Sequence, residues 1–155
     1  MVYKIKDRLK ELGIELPDAP APVASYVPFV ITGPLVFIAG QVTMWNGELK
    51  FIGRVGEDFT LEEGREAARI CGLNLIAQIR AACGGDLDRV KRCVKLTVYV
   101  NSAGDFTDQP KVANGASDLM AEVFGDAGRH ARAAIGVNTL PLGCAVEAEA
   151  VFEIA

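Results

Sequence analysis

Histidine occurs once in this 155-residue chain, as His130, and the four cysteines, Cys71, Cys83, Cys93 and Cys144, form no C-x-x-C pair and have no histidine beside them. A zinc site needs three or four such ligands in a recognisable spacing, so no metal is expected. A Ser-His-Asp or Cys-His device would have to use His130, which stands among Gly128, Arg129 and Ala131 and reads as a solvated loop residue. The cysteines read as free thiols of a reducing compartment. Nor is there a surplus of positive charge. Sixteen basic against twenty acidic side chains give a net charge of -4 and a pI near 5.0, which leaves little for a counterion-releasing grip on phosphate. Nucleic acid is therefore not expected as a partner. The apolar run from Val27 to Val42 is broken by Pro28, Gly33, Pro34 and Gly40, too short to cross a bilayer, and the first residues are charged rather than leader-like. The chain is expected to be soluble and cytoplasmic, without a membrane partner. Low-complexity tracts and tandem repeats are also missing.

Half of the residues are hydrophobic, enough for a domain of this length to bury roughly 70% of its unfolded surface. The spacing of Ile5, Leu9 and Leu12 predicts a short amphipathic helix over Tyr3 to Leu12, and residues 1–16 read as a helical extension ahead of one domain, 17–155. Pro17-Asp-Ala-Pro-Ala-Pro22 cannot continue a helix, because proline lacks the amide donor and restricts its predecessor. Strands are predicted over Phe29 to Thr32, Leu35 to Val42 and Leu49 to Val55, with Asn46-Gly47 marking a hairpin. Thr60-Leu-Glu-Glu63 fits a capping box, opening a helix through Ala68, Cys71, Leu75, Ile79 and Ala82 that ends at Gly84-Gly85. Cys93 to Asn101 alternates as a half-buried strand, with Val94, Leu96, Val98 and Val100 inward. A second helix, Gln109 to Phe124, is weakened at Gly115. Two closing strands, Arg132 to Thr139 and Cys144 to Ile154, complete the order β-β-β-α-β-α-β-β.

Chemistry is expected in those last residues. Alternation puts Val146, Ala148, Ala150, Phe152 and Ile154 on one face of the final strand and Glu147, Glu149 and Glu153 on the other. Arg132 opens the strand before it. Leu140-Pro141-Leu142-Gly143 is read as a turn that folds the two together, bringing a guanidinium and a carboxylate to one pocket. Arginine stays charged and grips carboxylates through two parallel bonds. Two helices cover only one face of such a sheet. The other, expected to carry Thr97, Tyr99, Glu147 and Glu149 with Ala134 and Gly136, calls for a partner subunit in a symmetric oligomer, with pockets where subunits meet.

Five pieces in this order, Tyr26 after Pro22-Val-Ala-Ser, Leu35-Val-Phe-Ile-Ala-Gly-Gln41, Val94-Lys-Leu-Thr-Val-Tyr-Val100, Arg132-Ala-Ala with Leu140-Pro141, and Val146-Glu-Ala-Glu-Ala150, resemble the Rid family, also called YjgF-type or endoribonuclease L-PSP-like. The resemblance covers about residues 20–155. It implies a chorismate-mutase-like α/β (α+β) fold with both helices on one face of a mixed sheet, a homotrimer, and ligand clefts between subunits. It also implies hydrolysis of reactive 2-imino and enamine acids to 2-keto acids and ammonia, without metal or cofactor. The family's carboxylate-binding arginine falls on Arg132, its water-orienting glutamate on Glu147, its pocket tyrosine on Tyr26, and its Gly-Gln pair on Gly40 and Gln41. Ala134 stands where a cysteine is common; alanine keeps the backbone carbonyl that the mechanism uses. Asn114 is the counterpart of a pocket asparagine, in a region where residues 105–114 depart from the pattern.

Each of these residues has a plainer reading. Glu147 fits the wet face of a strand, Arg132 a structural ion pair, Tyr26 a core or interface aromatic, and Gly40 a bulge or close-approach residue. Besides the deaminase, the sequence allows a non-catalytic trimer that binds small carboxylates as a sensor or scavenger. A ribonuclease is disfavoured by the acidic pI, the single histidine and the lack of a stacking motif.

Overall fold

Thr60 starts the central helix as the capping box anticipates: its side chain accepts from the Glu63 amide, and the Glu63 carboxylate accepts from the Thr60 amide. In the computed structural model, which describes residues 4–22 and 24–155, the order is α1 (Ile5–Glu11), β1 (Phe29–Thr32), β2 (Leu35–Gln41), β3 (Met44–Trp45), β4 (Glu48–Leu49), α2 (Leu61–Ala82), β5 (Val90–Asn101), α3 (Gln109–Phe124), β6 (Ala131–Val137) and β7 (Val146–Ile154). Tyr3 and Val23 lie outside the described residues. The strands β1, β2, β7, β5 and β6, in that spatial order, form one mixed sheet; β5 and β6 run parallel and the other pairs antiparallel. Helices α2 and α3 cover one face. Its core includes Leu75, Ile79, Leu96, Leu119, Met120 and Phe152, all fully buried. Gly115, which the sequence reads as a weak point, is where the helices press closest, since a Cβ there would collide with the Arg65 carbonyl. The first helix docks on the same layer: Leu9 is buried and the Arg8 guanidinium donates to the Glu122 carbonyl.

Four expectations need correction. Leu49 to Val55 is not the third strand of a meander. Asn46-Gly47 does turn a hairpin, both residues at positive φ, but it joins only the two-residue strands β3 and β4. Beyond it, the left-handed backbone at Phe51 and the positive φ of Gly53 break the pleat, leaving isolated bridges from Ile52 to Cys144 and from Val55 to Ser102. Second, a bulge in β5 between Cys93 and Lys95 shifts alternation by one residue. Cys93 is therefore buried and Val94 only half-buried.

Third, the closing strands do not form a hairpin, because β5 lies between them. Helix α3 instead carries the chain from β5 to a parallel β6, the connection such a βαβ unit requires. Fourth, the partners Leu96↔Arg132, Val98↔Ala134 and Val100↔Gly136 put Arg132, Ala134 and Gly136 on the helix-covered face. The open face carries Tyr99↔Glu147 and Thr97↔Glu149, with Ala133 and Ile135 in place of Ala134 and Gly136. Apolar side chains are exposed there: Val30 at 52%, Phe37 at 45% and Ile135 at 46%. A hollow of about 490 Å³ lies among Val30, Phe37, Lys95, Thr97 and Val151.

Candidate functional site

Glu147 points from β7 into a pocket of about 390 Å³ shared with Tyr26, Gly40, Gln41, Met44 and Leu142. Three features build it. A bulge in β2 between Ile38 and Gln41 brings the backbone of Gly40 against the carboxylate, where a Cβ would sit 2.5 Å from Glu147 Oε1. Gly40 thus serves close approach, and any larger residue displaces the acid. The 3-10 turn Pro141–Gly143 presents Leu142 at φ 60°. The proline-rich connector forms the far wall, held by α2 through Gln78 Nε2, which donates to the Pro20 carbonyl at 2.8 Å; from the same helix Asn74 Nδ2 donates to the carbonyls of Val42 and Met44, beyond β2, at 3.2 and 2.6 Å.

Both amides are completely or almost completely buried, Asn74 at 0% and Gln78 at 1% exposure. Sequence reasoning missed them. The available signal was two polar side chains four residues apart on the buried stripe of a helix, a placement that needs dedicated partners. The Gln41 amide is itself engaged inside the protomer, donating to the Ala39 carbonyl at 2.9 Å and accepting from Gln78 at 3.4 Å.

Burial raises the Glu147 carboxyl above the ordinary 4.5, and the neighbouring Glu149 charge pushes it the same way. Glu149 accepts from the Tyr99 hydroxyl at 2.5 Å; that bond, with burial, pushes the phenol up to about 12. The buried thiols of Cys71 and Cys144 flank the base of β7, both donating to the Val146 carbonyl, at 3.3 and 3.5 Å. Burial pushes Cys144 up to about 11, so it stays a thiol rather than a nucleophilic thiolate.

Arg132 is elsewhere. It lies beside α3 in a second pocket of about 330 Å³ with Asn114, Ser117, Asp118 and His130. Its Nη1 donates to Asn114 Oδ1 at 2.7 Å and to Ser117 Oγ at 3.1 Å. Among the described residues it makes no salt bridge, unlike Arg8, Arg54, Arg65, Arg69 and Arg129. The structural ion pair is thus not seen, although Asp118 lines the same pocket. His130 is not a solvated loop residue: it is half-buried, and both ring nitrogens are engaged. Ala134 packs against the core two residues beyond Arg132.

The fold therefore sorts six of the seven sequence-selected residues into two groups and leaves Ala134 apart. Tyr26, Gly40, Gln41 and Glu147 share one pocket; Arg132 and Asn114 share the other; Ala134 lines the strand behind. Among the described residues no group of three or more His, Cys, Asp or Glu side chains is arranged to hold a metal ion, and no helix is long and apolar enough to cross a membrane.

Residues 6–151 match the family model described as "YjgF/chorismate_mutase-like, putative endoribonuclease". The chain belongs to this YjgF-type family. The match begins inside α1. Protein TCP17 of Trypanosoma cruzi is 48% identical over 152 residues, 97% of this chain and 94% of the relative. Among solved structures, Atu1372 of Agrobacterium tumefaciens, described as of unknown function, superposes with a TM-score of 0.91 at 45% identity, over 97% of this chain and 92% of that one. The "putative endoribonuclease" of Shewanella oneidensis MR-1 superposes with a TM-score of 0.94 at 36% identity, over 98% and 100%. The fold is thus the YjgF, chorismate-mutase-like mixed α+β domain.

Proposed function

We propose that this protein hydrolyses reactive 2-imino acids to 2-keto acids and ammonia, in a site that the Arg132 pocket of one protomer and the Glu147 pocket of a neighbour form together in a homotrimer. The observation that carries the reading is the separation of charge. One pocket holds a guanidinium that makes no ion pair among the described residues, the other a carboxylate with no basic side chain in its lining, on opposite faces of one sheet. Arg132 sits on β6, the sheet edge, where a neighbour's open face has access to it. The exposed Val30, Phe37 and Ile135 on that face favour such a contact, since large apolar patches mark association surfaces.

In the shared site the nitrogens of Arg132 that do not bind Asn114 and Ser117 clamp the substrate carboxylate. Glu147 accepts a proton from the attacking water; burial and Glu149 raise its affinity for protons, and a neighbour's guanidinium in the shared site works against that rise. Water adds to the C=N carbon, the nitrogen is protonated, and the C–N bond breaks to release ammonia and leave the keto oxygen. The apolar wall of Tyr26, Met44 and Leu142 accommodates the substrate side chain. Ribonuclease action finds little support, because net charge -4 gives a phosphate backbone a weak hold.

The test is to generate imines from several amino acids with an amino-acid oxidase and follow loss of the semicarbazide-trapped product. Faster loss with the intact protein, absent in Arg132→Ala, is the expected result. No acceleration with any imine, in a folded trimer, overturns the deaminase and leaves a non-catalytic binder of small carboxylates.

A further inference from the structure

In the chemistry just described Ser117 only helps to hold Arg132 and His130 has no part, yet the two form a nucleophile–base pair. Ser117 Oγ lies 2.9 Å from His130 Nε2, and His130 Nδ1 lies 2.7 Å from the Gly128 carbonyl. The protons can be assigned by elimination. A carbonyl only accepts, so Nδ1 carries the ring proton and Nε2 of the neutral ring is the bare acceptor. The Arg132 guanidinium only donates, and it donates to Ser117 Oγ at 3.1 Å. The serine hydroxyl therefore points its own proton at Nε2 while its oxygen faces a cation.

That is the arrangement of an activated hydroxyl: a base within reach, and the base oriented by a third group. The third group is fixed in place. Gly128 ends the 3-10 turn Gly125–Gly128, pressed against α3 so closely that a Cβ would collide with the Met120 carbonyl. The pocket also holds donors for a developing oxyanion. Asn114 accepts from Arg132 through Oδ1, which leaves its NH₂ turned the other way. Arg132 uses only Nη1 on Asn114 and Ser117, leaving its other nitrogens available. Fixed donors of this kind stabilise tetrahedral intermediates.

We infer that Ser117 is a catalytic nucleophile, activated by His130, that hydrolyses small acyl esters in the Arg132 pocket. Ser117 Oγ bonds to the acyl carbon as its proton passes to His130 Nε2, and the carbonyl oxygen takes negative charge beside Arg132 and Asn114. Collapse breaks the bond to the alcohol oxygen, which takes the proton from His130. Water then attacks the acyl-serine, giving its proton to His130, and the carboxylic acid leaves with Ser117 regenerated. Ester and water become acid and alcohol, and no other reactant is needed. The cavity, about 330 Å³, limits the acyl group to a few carbons. The inference rests on groups within one chain and needs no neighbouring subunit, but it draws on the same Arg132 and Asn114 as the proposed imine site.

A fluorophosphonate tests it, because an activated serine displaces the fluoride far faster than an ordinary one. The full-length protein is incubated with the probe, its intact mass read, and the modified peptide sequenced. The expected result is one adduct, on Ser117, absent from Ser117→Ala and formed at least tenfold more slowly in His130→Gln, with turnover of 4-nitrophenyl acetate falling in parallel. An unmodified Ser117 in wild-type protein that melts cooperatively overturns the inference whatever the variants do. So does labelling at an equal rate in a folded His130→Gln protein, which would mean that the imidazole only holds α3 against β6.

Discussion

The two pockets of this chain differ in almost every physical respect. The Glu147 pocket is walled by apolar side chains and by backbone held down by the buried amides Asn74 and Gln78, and its acid is pushed toward the neutral form. The Arg132 pocket is lined by polar and charged groups from α3 and the entry to β6, and its cation is a guanidinium whose planar fork grips an anion through paired bonds. One is suited to a side chain and a water, the other to an anion. A two-part ligand with a carboxylate at one end and an apolar group at the other would match both, but a single chain keeps the halves on opposite faces of its sheet. The difference teaches that the protomer is not the functional unit under the proposed reading.

Breaking the cationic half has the largest expected effect. Removing charge-assisted bonds worth about 1.5–3 kcal/mol each should lower kcat/KM of Arg132→Ala toward an imine by about 100-fold or more, with circular dichroism unchanged. The comparison sharpens when Arg132→Ala and Glu147→Gln chains are mixed by co-expression. If each site takes Arg132 from one protomer and Glu147 from the next, random assembly leaves both intact in about a quarter of sites. Activity should return to that level although each variant alone is inactive. No recovery in verified mixed trimers would mean that both residues act within one chain.

Gly40→Ala disturbs the acidic half alone. The new Cβ meets the end of the Glu147 side chain, a flexible group that yields at little structural cost while its carboxylate leaves the pocket. Turnover should fall about tenfold, with stability changed by less than about 0.5 kcal/mol. A melting temperature several degrees lower, with kcat intact, would show that Gly40 is there for packing only.

The helices were legible because their signals are local: the capping box at Thr60 and the apolar spacing through Ile79 needed no distant partner. The inward face of β7 was legible for the same reason. Sheet order was not. A Leu-Pro-Leu-Gly turn between two strands reads as a hairpin, and only the parallel packing of β6 beside β5, by way of α3, separates Arg132 from Glu147. The bulges at Cys93–Lys95 and Ile38–Gln41 depend on pairing with β7 and leave no periodic trace. Ser117 and His130 are thirteen residues apart, on a helix and beyond it, so tertiary structure alone makes them neighbours. Asn74 and Gln78 could have been found, since buried amides at helical spacing announce a polar duty. Replacing Asn74 by leucine removes the donor to the Val42 and Met44 carbonyls, and leaving buried acceptors unmatched costs about 1–3 kcal/mol. Chemical denaturation should show that loss, and the KM for large imines should rise as the wall loosens.

The smallest expected effect concerns Glu147 itself. An acid whose proton affinity is raised by folding makes the folded state bind more protons than the unfolded one. Its contribution to stability is therefore intact below the ordinary value of 4.5 and is lost as pH rises through the higher folded value. Above that range the folded protein carries a partly desolvated carboxylate. Glu147→Gln removes the charge, so in chains dissociated from any partner the variant should match wild type near pH 4 and exceed it near pH 8. Partial exposure screens the effect, and a rise of roughly 1–2 °C in Tm is the appropriate scale for a domain of this length. Melting both proteins across that range decides the point. A gain that stays constant with pH would assign it to packing of the amide, and a variant less stable at pH 8 would mean that the carboxylate has found a cation in the assembled protein, which is what closure of the two half-sites would supply.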